Sequence, residues 1–140
     1  MAIASVTVAP TLRATAHSAR RRLLVIVAAA AAAALTWILA GPLVGVQLLV
    51  RFGSGAPQTV GLGLVLAAGL TAPLLGWALL AFLERRTPRA RALWTGTAVA
   101  VLLVSFALPL AASVTTSTRV ALMLMHLAVG SVVIIGLRRN

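Results

Sequence analysis

Four apolar runs without a single charged side chain fill nearly all of the sequence after Arg22: Leu23 to Val50, Thr59 to Leu83, Leu93 to Val114, and Val120 to Leu137. A helix rises 1.5 Å per residue, so about 20 residues cross a hydrocarbon core of about 30 Å. The first run has 28 residues, about 42 Å as a helix, which is more than the core needs. It therefore tilts or bends at Gly41-Pro42, and its span is placed at 23–43 with an interfacial extension to Arg51. The other spans are placed at 59–83, 93–114 and 120–137. The expected fold is all-α, an integral membrane bundle of four transmembrane helices over residues 23–137.

Composition excludes the alternatives. Only 9% of residues are charged and 61% are hydrophobic, against about 25% charged in a soluble domain. A soluble chain of 140 residues has too little interior to hide that much apolar surface, and a disordered chain is polar. There is no cysteine, so disulfides, thiolate chemistry and cysteine metal sites are out.

The charges orient the chain. Twelve arginines face one acid, Glu84, and there is no lysine, a bias that fits a GC-rich genome. Arg13, Arg20, Arg21, Arg22, Arg85, Arg86, Arg89, Arg91, Arg138 and Arg139 fall on one side of the four spans, and Arg51 and Arg119 on the other. Positive charge in short loops stays in the cytoplasm. Both termini are thus expected there, in a multi-pass protein of the cell (inner) membrane. The arginines sit at span ends, so nucleic acid is not an expected partner. The expected partners are the bilayer, with anionic lipids at the basic cytoplasmic face, and a second copy or another membrane protein.

The links between spans are short. Residues 1–22 read as a basic, mobile cytoplasmic arm, with Ser18 placed to cap the first helix. Phe52 to Gln58 is a loop by its Gly, Ser and Pro content. Thr87-Pro88 reads as an N-cap with proline at the first helical position. Thr115 to Thr118 reads as a polar turn, and residues 138–140 form a cytoplasmic tail. A cleaved signal peptide over Arg20 to Ala40 is the rival topology. Ile38-Leu39-Ala40 is a poor cleavage site for it, because the position three before the cut should be small.

Several segments carry a resemblance: Trp37 to Leu48 (WILAGPLVGVQL), Trp77 to Trp94 (WALLAFLERRTPRARALW), Ser105 to Leu110 (SFALPL) and Ala121 to Ile135 (ALMLMHLAVGSVVII). Together they resemble a family of small four-helix actinobacterial membrane proteins catalogued as a domain of unknown function. The resemblance implies the topology and no particular activity. An acid often stands in that family where this chain has Gln47, which argues against an ion-binding role at the end of the first helix.

His126 is the sharpest chemical candidate. It lies 12 residues from Arg138, well inside the fourth span, where an ionisable group is a functional hypothesis by default. A neutral imidazole there relays a proton, binds a ligand, or simply bonds to a neighbouring helix; the last is the favoured reading. Depth adds a second feature. Thr36 is 14 residues from Arg22, Thr71 is 13 from Glu84, and Ser105 is 14 from Arg91, so with His126 all four lie about 18–21 Å from the basic end. They would floor a polar pocket, or each would bond its own helix backbone. Glu84 is expected to form an interfacial salt bridge with Arg85, Arg86 and Arg91. Trp94 and Phe82 suit interfacial anchors, with Trp37 and Trp77 as packing residues. Gly69, Ala72, Pro73 and Gly76 form a small-residue packing face on the second helix.

The only other histidine is His17, so neither metal nor cofactor is expected. No nucleophile–base pair, paired carboxylate or phosphate loop is present, and no enzyme is expected. Two functions remain: a structural or accessory membrane protein, or a small carrier or sensor of an apolar or weakly polar ligand around His126.

Overall fold

The computed structural model describes residues 9–139, with side chains from Ser18 onward. Helix α1 (Ala9–Ile38) runs into a π-helical turn (Leu39–Leu43), followed by two short strands, β1 (Leu49–Val50) and β2 (Gln58–Thr59). Helix α2 (Leu62–Glu84), α3 (Ala90–Ser105), α4 (Ala107–Ala112) and α5 (Thr116–Arg138) complete the chain. Among the described residues, four segments are long and apolar enough to cross a membrane: Ser18–Leu43, Leu62–Glu84, Ala90–Ala112 and Thr116–Arg138. Each expected span overlaps one of them, with ends that differ by up to five residues.

Local chemistry explains where the boundaries moved. The expected mobile arm is helical from Ala9, and Ser18 is interior to α1 rather than its cap. Alanine and arginine are strong helix formers, and Pro10 is tolerated in a first turn. The expected bend at Gly41-Pro42 is the π turn. Pro42 has no N–H to give the carbonyl of Ile38, so the ladder slips to a wider spacing, with Val44 N bonding Leu39 O at 3.1 Å. Gly45, at φ +79°, ends the helix there, so Gly41 and Gly45 do not form a helical dimer groove. Pro109 likewise cannot donate to Ser105, and the third span breaks at Phe106 into α3 and α4.

The polar turn expected at Thr115 is a helix cap. Thr115 Oγ1 accepts from the backbone N–H of Thr118 at 3.2 Å, which starts α5 at Thr116. Thr87 accepts from the N–H of Arg89 at 3.2 Å, and α3 begins at Ala90, two residues beyond Pro88.

Helix α1 packs against α2 and α5, and α3 packs against the same two helices. The face of α1 that turns inward is Ile26, Ala29, Ala30 and Ala33, the i, i+3, i+4, i+7 pattern of one helix side. Small residues set the spacing. A Cβ on Gly69 of α2 would lie 3.1 Å from Ala33 Cβ and 3.3 Å from Ala30 Cα, so the α1 and α2 backbones touch almost directly. Pro73 is buried and Gly76 half-buried on the same side of α2, while Ala72 is exposed.

The core has two parts. One, toward the hairpin, gathers Ala33, Leu48, Val50, Val60, Val65, Ala112, Ala121, Leu122 and Met125. The other, toward the arginine-rich end, gathers Leu80, Trp94 and Leu137 with Val25, Trp77 and Val133 against them. Trp94 is therefore no interfacial anchor. It is 1% exposed and donates its indole N–H to Gly76 O at 2.7 Å; only a buried acceptor lets a tryptophan sit that deep.

The contact at Gly69 gives a test. Gly69→Leu should cost about 1–3 kcal/mol by overpacking, read as a fall in thermal stability in detergent. Gly96→Leu should cost nothing measurable, since nothing lies within 4 Å of a Cβ there.

Candidate functional site

The four polar residues expected at one depth sit on four different helical segments, and each spends its hydrogen bond at home. Thr36 Oγ1 donates to Ala32 O at 2.8 Å, Thr71 Oγ1 to Ala67 O at 2.7 Å, and Ser105 Oγ to Leu102 O at 2.7 Å. His126 Nδ1 lies 2.7 Å from Leu122 O. No hydrogen bond joins any two of the four. Depth along a helix follows from counting, but the direction a side chain faces does not. The inward side of α2 is marked by Val65, Gly69, Pro73 and Leu80; Thr71, two residues from Gly69, points the other way and is exposed. Thr36, Ser105 and His126 are half-buried.

His126 has a defined tautomer. A carbonyl only accepts, so Nδ1 carries the proton, and in the neutral ring Nε2 keeps the lone pair. The ring stands 6.5 Å from that of Phe106, tilted by 54°, at the break between α3 and α4. Among the described residues no three His, Cys, Asp or Glu side chains gather in a way that would hold a metal. The side chain of His17 lies outside the described residues.

At the arginine-rich end, Glu84 is paired, but with a partner the sequence does not place beside it. Arg22 of α1 donates through Nη2 to both carboxylate oxygens, at 2.9 and 3.0 Å. The expected partners Arg85, Arg86 and Arg91 make no ion pair with it. Residues one and two positions apart on a helix do not face each other, so Arg85 and Arg86 project away as α2 ends. Arg86 instead lies 5.3 Å over the Phe82 ring, a cation–π contact. Arg91, in the first turn of α3, is exposed. The pair's side chains are 13% and 32% exposed, so Arg22–Glu84 ties α1 to α2 in a partly dry setting.

The hairpin end holds what sequence reasoning missed. Strand β1 pairs antiparallel with β2 in the register Leu49↔Thr59 and Val50↔Gln58, and Val50 also bridges Ser113. Arg51 N bonds Ala112 O at 2.8 Å and Val114 N bonds Leu49 O at 3.1 Å. Two side chains pin this cap to the helices: Trp37 Nε1 donates to Val60 O at 2.8 Å, and Thr118, fully buried, donates to Gln47 O at 2.9 Å. An open cleft of about 350 Å³, lined by Trp37, Gly41, Val46, Gln47, Thr59 and Val60 among others, lies between the π turn and the hairpin. It contains none of the four mid-depth polar residues. Gly41-Pro42 was the one signal for it, read there as a bend only. The buried Ser113 Oγ and Arg119 Nε, near this end in the chain, have no hydrogen-bond partner among the described residues.

These features define a small helical protein with four helices of membrane-crossing length, tied at both ends and without a convergent polar centre among its described mid-depth residues. The chain belongs to the family of unknown function DUF6069, which matches residues 4–140. No curated protein and no solved structure matches it.

The hydrogen bonds rank the polar residues. His126→Leu, which removes a bond local to α5, should lower stability by about 0.6 kcal/mol, the average for such bonds in helical membrane proteins. Thr118→Val removes a bond that spans 71 residues and should cost more, about 1–2 kcal/mol. Thermal unfolding of both purified variants checks the order.

Proposed function

We propose that the chain is a non-enzymatic multi-pass protein of the cell membrane, with both termini in the cytoplasm, serving as a structural or accessory partner of lipids and other membrane proteins. One observation carries this reading: Thr36, Thr71, Ser105 and His126 each bond a carbonyl of their own helix. Groups spent in this way offer no shared site for chemistry or a polar path for a solute.

Membrane insertion is supported by the surface. Large apolar side chains point outward along every long helix, with Leu75 66% and Val104 72% exposed; in water an apolar surface of this extent drives aggregation. Orientation is supported by Arg20, Arg21, Arg22, Arg85, Arg86, Arg89, Arg91, Arg138 and Arg139 at one end against Arg51 and Arg119 at the other. Arginine without lysine, with abundant alanine, fits an actinobacterial source.

A second reading, a carrier or sensor of an apolar or weakly polar ligand, draws on the Nε2 lone pair of His126 beside Phe106. A carrier needs polar groups that continue from helix to helix, and His126 has no such bond, so the accessory reading is preferred.

The absence of cysteine makes the topology directly testable. Ser54→Cys, in the exposed hairpin turn, should react with a membrane-impermeant maleimide in intact cells. Pro88→Cys, exposed between α2 and α3, should react only after permeabilisation. The opposite pattern, or equal labelling of both, contradicts the proposed orientation.

A further inference from the structure

The turn from α2 to α3 forms an open surface cavity of about 560 Å³ lined by Glu84, Thr87, Pro88, Arg89 and Arg91 among others. The arginines around it are not equivalent. Arg22 bonds Glu84 through Nη2, with its buried Nε unpartnered among the described residues, and Arg86 lies over Phe82. Arg89 and Arg91 are exposed, and neither guanidinium has a hydrogen-bond or ion-pair partner among the described residues. The one carboxylate on the rim, Glu84, already has both oxygens taken by Arg22. The cavity thus offers two unpaired guanidiniums and no uncompensated acid.

The helices that flank it carry exposed apolar side chains. Phe82, at the end of α2, is 55% exposed, and Leu93, in the first turn of α3, is 53% exposed. A ligand that satisfies both surfaces carries an anionic head and a hydrocarbon body. We propose that this cavity holds the headgroup phosphate of an anionic phospholipid, held by Arg89 and Arg91, with the acyl chains against the exposed apolar side chains of α2 and α3. Planar guanidiniums match phosphate oxygens with paired N–H donors. The Thr87 hydroxyl accepts from Arg89 N and keeps its own proton to donate. This site rests on the membrane reading above and narrows its lipid partner to one place.

The geometry also gives Arg22 an indirect role as a positioning residue. It neutralises Glu84; without it, a bare carboxylate faces the phosphate.

The test is native mass spectrometry of the detergent-solubilised full chain, titrated with phosphatidylglycerol, with phosphatidylcholine and inorganic phosphate alongside. Wild type should bind phosphatidylglycerol saturably and well above phosphatidylcholine. Arg89→Gln/Arg91→Gln should bind it about 30-fold more weakly. Arg138→Gln/Arg139→Gln removes the same charge from the same end, outside the cavity, and should change binding less than about threefold. Arg22→Gln should weaken binding, and Glu84→Gln, which removes the acid, should bind at least as tightly as wild type. Equal losses in the two double variants, no loss in Arg89→Gln/Arg91→Gln, or displacement of the lipid by inorganic phosphate would overturn the site. A membrane-borne wild type with no preference for phosphatidylglycerol overturns the site alone. A wild type recovered from the soluble fraction overturns the membrane reading, and this site with it.

Discussion

No charged side chain lies between Arg22 and Arg51, between Arg51 and Glu84, between Arg91 and Arg119, or between Arg119 and Arg138. Helices built this way have no ion pairs to fix them along their length. They are held by shape in the middle and by polar contacts at the ends. The middle uses near contact of backbones, at Gly69 against Ala30 and Ala33, and close approach of Gly130 to Leu102 and of Gly136 to Val25. Where apolar burial alone gives little preference between partners, small residues and close van der Waals packing decide which helices associate.

The two ends are fastened differently. At the arginine-rich end the clamp is ionic and aromatic: Arg22 on Glu84, and the Trp94 indole on Gly76 O. At the hairpin end it is mostly backbone. The strand pair, its bridge to Ser113, and the bonds from Trp37 and Thr118 join the segment between α1 and α2 to α1, the end of α4, and α5. Prolines in three of the four apolar segments are absorbed in three ways. Pro42 produces the π turn and Pro109 the break before α4, while Pro73 stays inside a continuous α2.

The sequence made the spans legible because hydrocarbon thickness and charge are one-dimensional constraints. Four apolar runs and their arginine borders marked the four long apolar segments, though α1 begins fourteen residues before the first run, at Ala9. What needed the third dimension was not legible. Thr71 stood at the right depth on the wrong side of α2. Glu84 had three arginines near it in sequence, and took one 62 residues away. Trp94 sat beside a charged loop, as an interfacial anchor would, and proved to be core because Gly76 offered its indole a carbonyl. The hairpin lay hidden in a stretch of Gly, Ser and Pro, since two-residue strands leave almost no alternation to read. Ser18 looked like a cap only because the helix was taken to begin with the apolar run.

If the mid-depth polar groups are spent within their own helices, no path opens across the protein. Proton flux through proteoliposomes under an imposed pH gradient, followed by a trapped pH dye, tests it most directly. Wild-type vesicles should leak no faster than protein-free vesicles, and His126→Leu should change nothing. A wild-type flux that His126→Leu abolishes would contradict it and make His126 the centre of a carrier.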